Sequence, residues 1–292
     1  MPEQPLATEL VPFTATPYGA VIHGVRGGEG PTALLIHGTA GSWRNFQAWL
    51  PVLLPRAQLV IPDLPGFGES PAPAVRPRLR TWARLLHALM AELAQPPRIL
   101  IGLGFGASVG MAYLAVESPS GAAEPPLTHL VLHTPAYYPG AIRPVFRYGV
   151  RALGAGPVFP LVRGLLEHPR FRAWYLQQMV EGPDVAPAEA QVLREDFERA
   201  SLPVLRGLAR DIVRADFRPL LRGVATPTLA IVAAADQFVF PREVEKLAAL
   251  MPHARVVVQA NLGHGWTADA VAEHHRLLAA FLDSPAPSEA AS

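Results

Sequence analysis

A chain of 292 residues, half of them hydrophobic, is long enough to bury a sizeable core, as one compact domain with an insertion or as two small ones. Its 25 basic and 24 acidic residues leave a formal charge of +1, a balance that creates no field for nucleic acid, anionic lipid or a strongly charged substrate. Cysteine is absent, which excludes disulfides, thiolate metal sites and a cysteine nucleophile, and suits a reducing cytosol.

No stretch is apolar for long enough to span a membrane. Met1 to Leu10 carries Glu3 and Glu9 without the basic-then-apolar pattern of a signal peptide, so a cytoplasmic protein is expected. Lys246 is the only lysine, and the preference for Arg, Ala and Pro reads as a coding bias.

In chain order, Glu9–Phe13 and Gly19–Val25 read as a leading hairpin. Short apolar runs rich in β-branched residues then recur at Thr32–Ile36, Gln58–Ile61, Arg98–Ile101, His129–Leu132, Thr228–Val232 and Arg255–Val258. Helical periodicity follows most of them, at Trp43–Leu54, Arg80–Leu93, Phe105–Val116, Arg242–Leu250 and Ala268–Leu282. Continuous apolar strands alternating with helices predict a doubly wound, mostly parallel sheet covered on both faces. The alternation breaks between His133 and Ala225, where helix-like segments (Arg143–Ala152, Phe159–Leu166, Phe171–Val180, Pro187–Ala200, Val204–Ala215) come without a strand. This reads as a helical insertion. Its Phe146, Tyr148, Phe159, Phe171, Trp174 and Tyr175 exceed what a polar linker needs; most serve packing, and some are expected to line an apolar pocket at the strand ends. Ser284–Ser288 begins a tail expected to be disordered.

Four local patterns sit at carboxyl ends of candidate strands. Leu34–Ser42 feeds a glycine-rich loop whose amides can point into the crevice. Asp63–Ser70 is a tight turn. Arg98–Ala107 is a buried strand, a glycine-flanked turn centred on Gly104, and the small-residue start of a helix, the frame that lifts a nucleophile above a sheet. Gly104 itself offers no nucleophile. Last come Asp236 after one strand and His264, between two glycines, after the next. The Gly102-x-Gly104-x-x-Ala107 spacing also matches a dinucleotide fingerprint, but it follows the third strand of the alternation, and no carboxylate ends the next one, so it is set aside.

Together these patterns resemble the α/β-hydrolase superfamily, in the capped branch of epoxide hydrolases, haloperoxidases and C–C hydrolases, over residues 8 to 283. The resemblance implies an eight-stranded α/β-hydrolase fold with a helical cap after the sixth strand. Residues 1–134 and 226–283 would be the core, 135–225 the cap and 284–292 the tail. It implies His264 as general base, Asp236 as its orienting acid (in preference to Glu243 or Glu245), and the amides of Thr39 and Phe105 as an oxyanion hole. It maps the family's nucleophile onto Gly104. His37, Gly38, Ser42, Trp174 and Tyr175 are the substrate-lining candidates, although His37 also reads as a brace for its loop and Ser42 as a helix N-cap. Ser70 and Ser108 read as structural.

Three readings follow. The first is a cofactor-free, metal-free enzyme in which the His264–Asp236 dyad moves a proton or activates water on an apolar small molecule, as a hydrolase, lyase or isomerase. The second is a non-catalytic descendant that binds a ligand or protein partner. The third is an ordinary serine hydrolase inactivated by a Ser-to-Gly change at 104. Oligomeric state is not legible in the sequence.

Overall fold

The computed structural model describes residues 10–116, 126–153, 160–161, 164–165, 168–176, 187–260 and 268–285. Eight strands form one sheet: β1 (Val11–Ala15), β2 (Ile22–Gly27), β3 (Thr32–Ile36), β4 (Gln58–Pro62), β5 (Ile99–Leu103), β6 (His129–His133), β7 (Thr228–Ala233) and β8 (Ala254–Gln259), in the spatial order β1-β2-β4-β3-β5-β6-β7-β8. β2 runs antiparallel to both neighbours, and the strands from β4 to β8 are parallel. The leading hairpin and all six later runs are therefore strands, with ends displaced by at most three residues.

Alternate residues of each strand face opposite sides of the sheet. Leu34, Ile36, Leu100, Leu130 and Val232 belong to one buried cluster, while Leu35, Ile61, Ile101, Val131 and Ile231 belong to another. Helices α2 (Leu79–Glu92) and α3 (Phe105–Leu114) cover the first face. Trp49, Leu53 and the helix Ala268–Leu282 cover the second. Burial on both faces is why these strands read as unbroken apolar runs.

The expected helix Trp43–Leu54 is instead a 3-10 helix, Trp43–Trp49, followed by one α turn, α1 (Leu50–Leu53). Pro51 in this turn supplies no N–H to continue an i→i−4 ladder from the preceding residues. Likewise Arg242–Leu250 divides at Lys246 into Pro241–Glu245 and Leu247–Leu250.

Between β6 and β7 the described residues form α4 (Pro144–Leu153), α5 (Pro169–Leu176), α6 (Pro187–Arg199), α7 (Leu202–Ile212) and α8 (Arg218–Leu221), with no strand among them. Half of the expected segment at 159–166 lies outside the described residues, and the tail beyond residue 285 lies wholly outside them. No helix among the described residues is long and apolar enough to cross a membrane.

Candidate active site

The turn between β5 and α3 is built by crowding. A Cβ on Gly106 would lie 2.0 Å from the Ile36 carbonyl oxygen, and one on Gly102 would lie 2.6 Å from the Ala107 Cα, so these two positions admit no side chain. Gly104 differs: a Cβ there would meet only the Thr134 hydroxyl, at 3.7 Å. What constrains Gly104 is its backbone, at φ +50° and ψ −106°, a conformation glycine adopts freely and other residues adopt under strain. Its N–H donates to the His133 carbonyl at 2.8 Å. The turn therefore has the shape of a seat for a side chain, with space above it and none present.

The glycine-rich loop after β3 lies against this turn, since a Cβ on Gly38 would come within 3.5 Å of the Leu103 carbonyl oxygen. Ala40 within it has φ +54°. Among the described residues neither the Thr39 nor the Phe105 amide has a hydrogen-bond acceptor. Phe105 is also the first residue of α3, where helix amides and dipole favour negative charge.

His37 braces the loop. The Leu64 N–H donates to its Nε2 at 2.9 Å, so the proton sits on Nδ1, which donates to the Gly38 carbonyl at 2.8 Å. Burial holds the imidazole below its ordinary value, against the pull of Asp63. Both nitrogens of this fully buried ring are thus committed within the protein, which leaves none to bond a substrate. Asp63 accepts from the Trp43 and Glu69 amides, and burial pushes its carboxyl up.

Ser42 is the N-cap of the 3-10 helix, accepting from the Arg44 N–H at 3.3 Å. Its hydroxyl donates to Asp196 of α6 at 2.8 Å. Asp196 is fully buried and pairs with Arg44, which also bonds Glu195 at 2.7 Å. This network ties the helices between β6 and β7 to the loop beside Gly104. Nothing in the local sequence pattern pointed to it, because its partners are more than 150 positions apart.

Asp236 follows β7 and is 1% exposed. Its Oδ1 accepts from the Phe238 and Val239 amides at 2.8 and 2.7 Å, and Arg143 Nε donates to its carbonyl. Phe238 in turn packs on Phe146 of α4. Glu243 is engaged elsewhere, by Lys246 and the Tyr138 hydroxyl. Ser70 donates to the Asp63 carbonyl and Ser108 to that of Ala136, both structural bonds.

His264 lies outside the described residues, as does the side chain of Tyr175. Trp174 of α5 is 56% exposed and contacts Phe171. The structure also adds Thr134, at the end of β6. This β-branched residue is held at φ +44° and faces the space above Gly104, an unusual backbone state of the kind that clusters at functional sites. Pro135 after it favours extended backbone, which hides this state in the sequence. Among the described residues no three His, Asp or Glu side chains are grouped as for a metal ion.

The alpha/beta hydrolase family profile matches residues 33–280, and the chain belongs to that family. It is similar to the pimeloyl-[acyl-carrier protein] methyl ester esterase of Xanthomonas axonopodis pv. citri (strain 306), 28% identical over 250 residues, covering 81% of this chain and 89% of that protein. Two partial alignments span only 39% and 32% of the relatives' own lengths. One of these relatives, 35% identical over 92 residues and 31% of this chain, is the magnesium-chelatase 30 kDa subunit of Rhodobacter capsulatus. Among solved structures, the esterase EaEST from Exiguobacterium antarcticum superposes with a TM-score of 0.78 over 94% of this chain and all of that one, at 19% identity. That likeness is one of fold.

Proposed function

We propose that this family member catalyses water-dependent hydrolysis of a small apolar ester without a covalent intermediate. In this reading His264, oriented by Asp236, takes a proton from a water held above Gly104. The resulting hydroxide adds to the substrate carbonyl carbon, and the new oxyanion is held by the Thr39 and Phe105 amides. Collapse expels the alcohol, which recovers the proton from His264. Residues 135–225 act as a cap over this crevice, with Trp174 and Tyr175 among its apolar lining, and Gly38 keeps the loop close to the turn.

The observation that carries the proposal is the open position at Gly104, where a Cβ would meet only the Thr134 hydroxyl at 3.7 Å; the lack of a described acceptor for the Thr39 and Phe105 amides supports the oxyanion role given to them. An ester substrate is supported by the name of the esterase relative. The test is hydrolysis of p-nitrophenyl butyrate by the parent chain and by His264→Ala and Asp236→Ala. Slow turnover by the parent that both variants lose supports the proposal, and turnover that survives His264→Ala contradicts it.

A second reading draws on the relative named as a magnesium-chelatase subunit. Here the same nucleophile-free crevice binds a ligand or a partner protein and turns nothing over. Absence of any His264-dependent turnover, together with a saturable ligand, favours that reading.

A further inference from the structure

α7 meets the segment that leads into α2. A cleft of about 190 Å³ opens there, lined by Arg76, Arg78, Arg206, Arg210 and Arg214, with Asp211 the only acid. The two walls approach closely because α7 carries Gly207, where a Cβ would fall 2.4 Å from Pro77. Any larger residue would push the Arg76 and Arg78 wall off the helix.

Positive charge is concentrated in this cleft. Arg206 and Arg210 stand four residues apart on α7, a spacing that brings like charges together on one side of a helix at a cost in stability, and Arg214 follows just past its end. Asp211 has its carboxylate committed, to Arg78 at 3.4 Å and to the Leu79 amide that opens α2 at 3.1 Å. Arg76, Arg210 and Arg214 thus line the cleft without an acidic partner among the described residues, while its one carboxylate, Asp211, is taken by Arg78 and the Leu79 amide.

We infer that this cleft binds a compact oxyanion of two or more charges, with diphosphate as the best-fitting chemistry. Guanidinium forks bind phosphate and carboxylate oxygens in pairs. At about 190 Å³ the cleft has room for a pyrophosphate-sized group. The inference is independent of the reaction proposed above.

Isothermal titration of the whole chain with pyrophosphate, orthophosphate and citrate at fixed ionic strength tests it. Pyrophosphate is expected to bind at one site, more tightly than orthophosphate, and the double variant Arg210→Ala/Arg214→Ala is expected to lose about tenfold or more in affinity. The control is Arg80→Ala/Arg84→Ala, which removes the same charge from α2 outside the cleft and is expected to bind as the parent does. Single Arg→Gln changes at 210 and 214 replace the double variant if it does not fold. A preference for citrate keeps the site and assigns it to polycarboxylates. No saturable binding, or an equal loss in both double variants, overturns the inference and marks adventitious ion binding only.

Discussion

Replacing Gly104 and Gly106 in turn by alanine separates a strained position from a crowded one. At Gly104 the new methyl meets nothing nearer than 3.7 Å, so the cost is conformational. A non-glycine residue at φ +50°, ψ −106° carries strain of about 1–3 kcal/mol, and the loss of glycine's freedom in the unfolded chain returns about 0.4–1 kcal/mol. At mid-range the net loss is about 1.3 kcal/mol, or a fall in Tm of roughly 3–5 °C, taking about 2–4 °C per kcal/mol for a large domain. At Gly106 the methyl would sit 2.0 Å from the backbone oxygen of Ile36, an overlap that only movement of β3 against α3 can relieve. A loss above about 4 kcal/mol is expected there, seen as failure to fold or a far lower midpoint. Urea denaturation followed by circular dichroism reads both. Equal losses in the two variants, or a Gly104→Ala protein as stable as the parent, would refute the claim that position 104 is spatially open and conformationally strained.

Two further outcomes follow from the supports around the site. Asp196→Ala strips the buried partner from Ser42 and one of the two carboxylates from Arg44, which keeps Glu195, and a loss of about 1–3 kcal/mol is expected; a change under about 0.5 kcal/mol in urea midpoint analysis would show that the network does not hold α6 to the loop. His37 is buried neutral with its pKa below the ordinary 6.5, so the unfolded chain binds the extra proton first as pH falls. Its contribution is complete above pH 6.5 and is lost as pH drops through the folded-state value. Stability measured from pH 7.5 downward is expected to decline with a slope that His37→Gln flattens, and an unchanged slope in that variant removes His37 as the cause.

The strands were legible because burial on both faces leaves β-branched runs with little else in them, as at Leu34–Ile36 and Thr228–Val232. The elbow was legible for a related reason: only glycine survives where strand and helix touch, and Gly102 and Gly106 mark that contact. Features that depend on distant partners were not legible. Asp196 looks like one acid among several on α6 until the fold sets it against Ser42 and Arg44. Thr134 sits before a proline that argues for extended backbone, yet packing holds it at positive φ beside Gly104. The helix expected over 43–54 failed on a local cause that was visible, since Pro51 interrupts it.

The most direct measurement is intact-mass analysis of the Gly104→Ser variant after exposure to p-nitrophenyl acetate, with the Gly104→Ser/His264→Ala double variant beside it. If the turn, the two amides and the histidine form one site, the single variant acquires an acetyl adduct on residue 104 and esterase turnover at least about a hundredfold above the parent, and the double variant acquires neither. A folded Gly104→Ser protein that stays unmodified and inert would contradict the account.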